Sequence, residues 1–450
     1  MESCDLMLTG AQVVLYGSEG LQTVTVDIAV QNGCITHIGA NLKIPAQETI
    51  DLRGLHLLPG VIDSQVHFRE PGLTHKEDLE SGTRGALLGG VTSIFEMPNT
   101  QPPTTTRELL EEKLQKAKGR CHTHYAFYVG ASPDNADSLK ELEQHPHCSG
   151  VKLFMGSSTG SLLVEEDLHI ERVLRSGRRR VIVHAEDESR LRSRRHLAEE
   201  GAHPRFHPIW RDEETAYLAT QRLLRLARLT GRPVHVLHVS SAREMDLLKT
   251  QKDIATVEVL PQHLTLSAPE CYERWGTFAQ MNPPIRDQLH QDRLWKAVLD
   301  GTVDIIGSDH APHTRDEKAK PYPQSPSGFP GVQTLVTLML NHVHQRRLSL
   351  EKFVELVTEN PRRVFGIKNK GRIAVGFDAD FTIIDLKKTR RIENSWIASR
   401  VGWTPFDGMQ TTGWPVMTIL RGQLVMREDQ ILTAPQGRAV DFEGTMSTTG

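Results

Sequence analysis

GVIDSQVHFREPG, residues 60–72, begins as an apolar stretch too short for a helix and ends in a crowd of polar groups. A continuous Val/Ile-rich run of this length, opened by Gly and followed by a Pro-Gly turn, reads as a strand buried on both faces. Its far end carries Gln65, His67, Arg69 and Glu70. Seven more runs of the same kind follow: VTSIFEMPN (91–99), THYAFYVGA (123–131), GVKLFMG (150–156), RVIVHAED (180–187), PVHVLHVS (233–240), ATVEVLPQH (255–263) and VDIIGSDHAP (303–312). Helical segments lie between them. The clearest, DEETAYLATQRLLRLARLTG (212–231), has acids in its first turn and a glycine at its end. Buried strands alternating with helices argue for a parallel sheet covered by helices. Eight such units between residues 60 and 312 predict an α/β fold, a closed (β/α)₈ barrel of the TIM type over residues 59–365. A doubly wound open sheet is the competing arrangement.

Outside this middle the rhythm changes. LMLTGAQVVLY, VTVDIAVQNG and CITHIGA, within residues 1–58, are alternating β-rich segments separated by Gly or Asn. RIAVGFDADFTIIDL and PVMTILRGQLVMRE repeat that character near the other end. These ends predict one small β-sandwich domain built from residues 1–58 and 366–450, with a disordered tail at EGTMSTTG (443–450).

A formal net charge of -3 gives no electrostatic reason to expect nucleic acid or an anionic membrane as a partner. The five cysteines are scattered, with no CxxC spacing, which argues for reduced thiols. MESCDLMLTG lacks a basic segment followed by an apolar core, and no run of 18 apolar residues occurs. A cytoplasmic enzyme acting on a small molecule is the expectation, as a homo-oligomer, a homodimer at its simplest.

Barrels of this type build their active sites at the C-terminal ends of the strands. That is where His67, Asn99, Lys152, His184, His238, Asp309, His310 and His313 fall. A lone histidine is more often a hydrogen-bonded core or surface residue than a ligand. Several strand ends converging with His, Asp and Lys are harder to explain as packing, and imidazole and carboxylate suit a Zn²⁺ ion that keeps a position open for water. Lys152 on an inward-facing strand is costly to bury as an ammonium. It reads either as a snorkelling or ion-paired side chain, or as a carbamylated lysine bridging two metals. Asp309, after the apolar VDIIGS, needs a partner or a metal, and could shuttle a proton. Arg69 offers a planar fork for a carboxylate, or a surface ion pair with Glu70 or Asp78. Asn99 and Asn282 can also be read as simple strand and turn ends.

HFREPG (67–72), EMPNT (96–100), KLFMGSSTG (152–160), HAED (184–187), HVSSAREM (238–245), MNPPIR (281–286), SDHAPH (308–313), PSGFPG (326–331) and GRIAVGFDAD (371–380) occur in that order. Together they resemble the amidohydrolase superfamily, its cyclic amidase branch, and within it the dihydroorotases. Allantoinases are similar but usually carry Asn in place of Arg69, and dihydropyrimidinases lack the REPG and MPNT pairing.

The resemblance implies reversible interconversion of N-carbamoyl-L-aspartate and (S)-dihydroorotate in pyrimidine biosynthesis, by hydroxide on zinc. It implies Zn²⁺, one or two per chain, and Lys152 N6-carboxylated as the bridging ligand. His184 and His238 would hold one metal, and His67 and Asp309 the other, with Asp309 as catalytic proton carrier. Arg69, Asn99 and His313 would bind the substrate carboxylate. Asn282 and the backbone around Gly328 would position the ring. One position departs from the pattern: the family opens its site with HxH, and here the first histidine is Gln65. A neutral amide oxygen is a poorer zinc ligand than imidazole, so Gln65 is expected to be a weak ligand or none. Another cyclic amidase (allantoinase or hydantoinase) and an inactive scaffold, for example for aspartate transcarbamoylase, remain the other readings.

Overall fold

The eight apolar runs become eight parallel strands: β1 (Val61–Val66), β2 (Val91–Glu96), β3 (His124–Gly130), β4 (Cys148–Phe154), β5 (Val181–His184), β6 (Val234–Val236), β7 (Ala255–Val259) and β8 (Ile305–Ile306). This is a computed structural model, and it describes residues 3–18, 20–156 and 160–445. The strands pair in sequence order from β1 to β8. The ring closes where the His67 amide donates to the His310 carbonyl at 2.7 Å, beside a parallel bridge between Val66 and His310. The strands are buried along their whole length, as β-branched runs covered on both faces should be.

Helices surround the strands. The longest, Glu213–Thr230, starts where the Asp212 side chain accepts from the Thr215 amide and stops at Gly231, whose φ of 69° a side chain would strain. Its Ala219, Leu223, Leu226 and Ala227 face the strands at helical spacing. No helix among the described residues is long and apolar enough to cross a membrane. All five cysteines are unpaired.

The second sheet comes from both ends of the chain. Strands Cys4–Gly17, Gly20–Gln31, Cys34–Gly39, Ala46–Asp51 and His56–Pro59 meet Phe381–Arg391, Gln410–Leu420, Gln423–Arg427 and Gln430–Ile431. The seam is the antiparallel pairing of His56–Pro59 with Phe381–Ile384. Around it Leu57, Phe381 and Ile383 enter a core separate from the barrel's.

The C-terminal segment expected in the small sheet departs from it after Ile431. Residues 437–442 run back beneath the barrel, where Tyr125 bridges Ala439 and Ile367 bridges Phe442. The cause is apolar burial: Val440 and Phe442 are fully buried against Phe95 and Phe365. Of the tail expected to be disordered, residues 443–445 continue this segment and 446–450 lie outside the described residues. Ser157–Thr159, in the KLFMGSSTG motif, also lie outside them.

Candidate active site

The C-terminal ends of the strands bring His67, Lys152, His184, His238 and Asp309 into one electrostatic neighbourhood, each acting on at least one of the others. Arg69, His238 and Asp309 hold left-handed backbone, with φ of 65°, 39° and 46°. Such conformations cost non-glycine residues of order 1–3 kcal/mol and persist where surrounding structure enforces them. Here they turn the chain sharply at strand ends.

The histidines form two close pairings. His184 donates from Nε2 to Glu186 Oε2 at 2.7 Å, which leaves Nδ1 with a lone pair. That Nδ1 lies 3.0 Å from His238 Nε2. Burial lowers the pKa of both rings, and His184 lowers that of His238 further, so both are neutral. His67 donates from Nδ1 to Asn99 Oδ1 at 2.7 Å, and its remaining nitrogen, Nε2, stands 3.2 Å from Asp309 Oδ1. Burial also lowers the His67 pKa, against the pull of Asp309. His184 Nδ1, His67 Nε2 and the Asp309 carboxylate thus offer lone pairs to a cation.

Lys152 lies between these pairs in charge terms. It is 1% exposed and its Nζ sits 4.5 Å from the centre of the Phe154 ring. No carboxylate is within ion-pair distance of it among the described residues, so the snorkelling and ion-paired readings both fail. Burial pushes its pKa down to about 7, against Asp309 and Glu258. Much of the amine is then neutral near pH 7, the form that adds CO₂.

Among the described residues no three His, Cys, Asp or Glu side chains converge as a metal site. The two pairs fit a divalent cation only with Lys152 as a third donor, and an amine becomes such a donor as a carbamate. Gln65 does not extend the second pair. It is fully buried and donates from Nε2 to Asp309 Oδ1 at 3.1 Å, while its own Oε1 has no hydrogen-bond partner.

Arg69 is 7% exposed at the barrel mouth. The alternative of an ion pair with Glu70 or Asp78 fails, because Glu70 binds Arg120 at 2.8 Å and Asp78 caps the helix Leu79–Leu88. Arg69 instead donates to the Pro312 carbonyl at 3.2 Å and has Nη2 3.3 Å from His313 Nε2. Burial lowers its pKa to about 10, yet it stays charged at neutral pH. His313 is held neutral, its pKa pushed down to about 3 by burial, and contacts Lys76 through Nδ1 at 3.2 Å. Asn282 precedes a cis proline, and its Oδ1 accepts from His207 Nε2 at 2.9 Å. Gly328, at φ 126°, admits no side chain: a Cβ there would lie 2.5 Å from the Ala311 carbonyl oxygen.

His310, grouped above with the strand-end residues, faces away from this cluster. It bonds Glu77 at 3.2 Å and accepts the Gly331 amide, tying loops together. Three supporting residues escaped the sequence reading. Glu186 orients His184 and is itself clamped by Arg211 at 2.5 and 3.0 Å. Trp403 donates to the His313 carbonyl at 2.9 Å from a loop following the small sheet's strand Phe381–Arg391. Glu186 sits inside the HAED motif, two residues after His184, which is the one available signal.

A sequence profile of the amidohydrolase family matches residues 56–425. A dihydroorotase of Methanothermobacter thermautotrophicus is 35% identical over 423 residues, covering 93% of this chain and 95% of that protein. An allantoinase of Deinococcus radiodurans is 34% identical over 450 residues, covering 97% of this chain and 98% of its own. Among solved structures, the L-hydantoinase (dihydropyrimidinase) from Arthrobacter aurescens superposes with a TM-score of 0.92 at 29% identity, covering 97% of this chain and 100% of that one.

Proposed function

The chain belongs to the amidohydrolase family, and from that membership we propose that it is a dihydroorotase, interconverting N-carbamoyl-L-aspartate and (S)-dihydroorotate for pyrimidine biosynthesis. The observation that carries this reading is Arg69, a buried guanidinium at the barrel mouth with no carboxylate of its own chain within ion-pair distance among the described residues. A buried charge of this kind calls for an anionic partner, and a substrate carboxylate supplies one through a bidentate contact. Hydantoin and allantoin lack that carboxylate.

In this reading Lys152 as carbamate, His184 and His238 hold one zinc, and His67 and Asp309 contribute to a second, weaker position. A bound metal supplies polarisation of the ring carbonyl and a water of depressed pKa. The chain's own residues do the rest. Arg69 fixes the carboxylate, with His313 and Asn99 beside it, so the reacting carbon is held in place. Asp309, aimed by its left-handed backbone, takes a proton from the attacking water and returns it to the leaving nitrogen. Glu186 keeps the proton of His184 on Nε2. Gln65 donates to Asp309 rather than offering its oxygen, which supports unequal metal positions. The small-molecule substrate is the only partner the site requires.

A substrate panel tests the proposal. Dihydroorotate should be hydrolysed with the highest kcat/KM. Better turnover of allantoin or hydantoin would transfer the assignment to the kind of enzyme the 34% identical relative is named for, and no turnover of any would favour a scaffold.

A further inference from the structure

At the N-terminal face of the barrel, opposite the site described above, three arginines surround a cavity of about 300 Å³. Arg179 and Arg180 immediately precede β5, Ser149 is the second residue of β4, and Arg363 and Phe365 lie at the end of the helix Glu359–Phe365. Exposed Glu443 stands on the rim.

The arginines are held mainly by neutral groups. Arg179 donates to the carbonyls of Glu143 and Cys148 at 2.7 Å and of Ser149 at 3.2 Å, and stacks 5.1 Å from the Phe442 ring. Arg180 donates from Nη1 to the Val234 carbonyl at 2.8 Å, and Arg363 from Nη2 to Asn360 Oδ1 at 3.2 Å. Among the described residues none of the three has a carboxylate within ion-pair distance. The nearest influence, Asp304, is already engaged by Lys252 and the Val257 amide. Burial lowers the Arg180 pKa and Arg363 lowers it further, so the two guanidiniums repel across the cavity. Ser149 lines the same space, but its hydroxyl is buried away from it. A guanidinium carries five N–H donors, and these contacts leave several on Arg180 and Arg363 unused. Like charges crowded around a cavity match the chemistry of phosphate recognition, and the volume is that of a small-ligand site.

We propose that this basal cavity binds a phosphorylated small molecule, with Arg180 and Arg363 supplying the charge and the guanidinium donors.

Calorimetric titration of the full chain with inorganic pyrophosphate, and separately with a nucleoside triphosphate, at constant ionic strength tests it. One saturable site per chain is expected, retained in Arg69→Ala, where the barrel mouth has lost its own guanidinium. Arg363→Glu, at an exposed position, should weaken binding about ten-fold or more while leaving substrate turnover unchanged. Arg180→Lys keeps the charge but loses the fork, and is the second variant should the first fold poorly; it should weaken binding several-fold. Equal affinity for both probes would assign recognition to the phosphates alone, and tighter nucleotide binding would extend it to the nucleoside. No saturable binding up to about 10 mM, far weaker than a specific site, would overturn the proposal. Binding unaffected by both arginine changes, or abolished by Arg69→Ala, would overturn it too.

Discussion

The amide nitrogen of Gln65 donates to Oδ1 of Asp309 at 3.1 Å, the same oxygen that faces Nε2 of His67 at 3.2 Å. A neutral hydrogen-bond donor thus occupies the flank where a second imidazole would offer a lone pair. The carboxylate is partly satisfied without a cation, which weakens the case for a metal beside it while leaving the Lys152, His184 and His238 set untouched.

The wild-type protein should therefore retain one metal per chain after dialysis against a mild chelator, and Gln65→His should raise the content towards two. Elemental analysis of dialysed protein measures this. Two metals retained by the wild type would show that Gln65 costs the site nothing.

Arg69→Ala should raise KM for dihydroorotate strongly. A charge-assisted contact to a carboxylate is worth roughly 1.5–3 kcal/mol, or about 10- to 150-fold in kcat/KM. Activity on an uncharged hydantoin should hardly change. An equal loss on both substrates would mean that Arg69 serves the structure of the mouth through Pro312 and His313 rather than the substrate.

Glu186→Gln should act on metal affinity and on stability together. Burial alone would raise the Glu186 pKa, but Arg211 and His184 outweigh it and hold the carboxylate well below its usual range. The amide can no longer accept strongly from both partners, so His184 loses its enforced tautomer. A 10- to 100-fold loss of metal affinity is the usual size of such an outer-partner effect, read by competition with a chromogenic chelator. Urea unfolding should show a loss of about 3 kcal/mol for the uncompensated Arg211. Unchanged metal affinity alongside lost stability would confine Glu186 to a packing role.

Asp380 joins the barrel to the small sheet, accepting from Lys370 at 2.6 Å, from His124 of β3 at 3.2 Å and from the Arg421 amide. Burial would raise its pKa, yet His124 and Lys370 prevail and hold it far below the carboxylate range. A depressed folded-state pKa gives stability that is complete above the unfolded value near 4 and drains away as pH falls below it. Asp380→Asn should cost about 2–3 kcal/mol at pH 7, less than the full cost of breaking a buried pair, because Lys370 keeps Asp378 at 2.8 Å. The gap between the two proteins, measured by urea unfolding, should stay constant from pH 8 to about 5 and narrow below about 4. A gap that widens in acid would reverse the sign of this argument.

The barrel strands were legible because each is buried on both faces, which writes a continuous apolar run into the chain. The Glu213–Thr230 helix was legible for the complementary reason, an apolar stripe between an Asp cap and a terminal glycine. The strand-end residues His67, Lys152, His184, His238 and Asp309 stood out as polar groups after apolar runs. Arg211 did not, since its partner lies 25 positions away and nothing local marks an arginine as buried. Trp403 supports His313 from 90 residues further on. Residues 437–442 follow a Pro-Gln-Gly stretch that reads as loop, and their place beneath the barrel depends on pairings more than 300 residues distant, such as the Arg438 amide with His124.

The seam between His56–Pro59 and Phe381–Ile384 has a consequence for biosynthesis. The first five strands leave the ribosome early, but the neighbour that covers His56–Pro59 is made more than 300 residues later. At roughly 5–20 residues per second, that edge waits tens of seconds with Leu57 and Leu58 available to any passing strand. A nascent chain stalled before Phe381 would carry a sticky, half-built sheet at its leading end, so premature termination anywhere ahead of that strand should yield aggregates rather than a free-standing barrel.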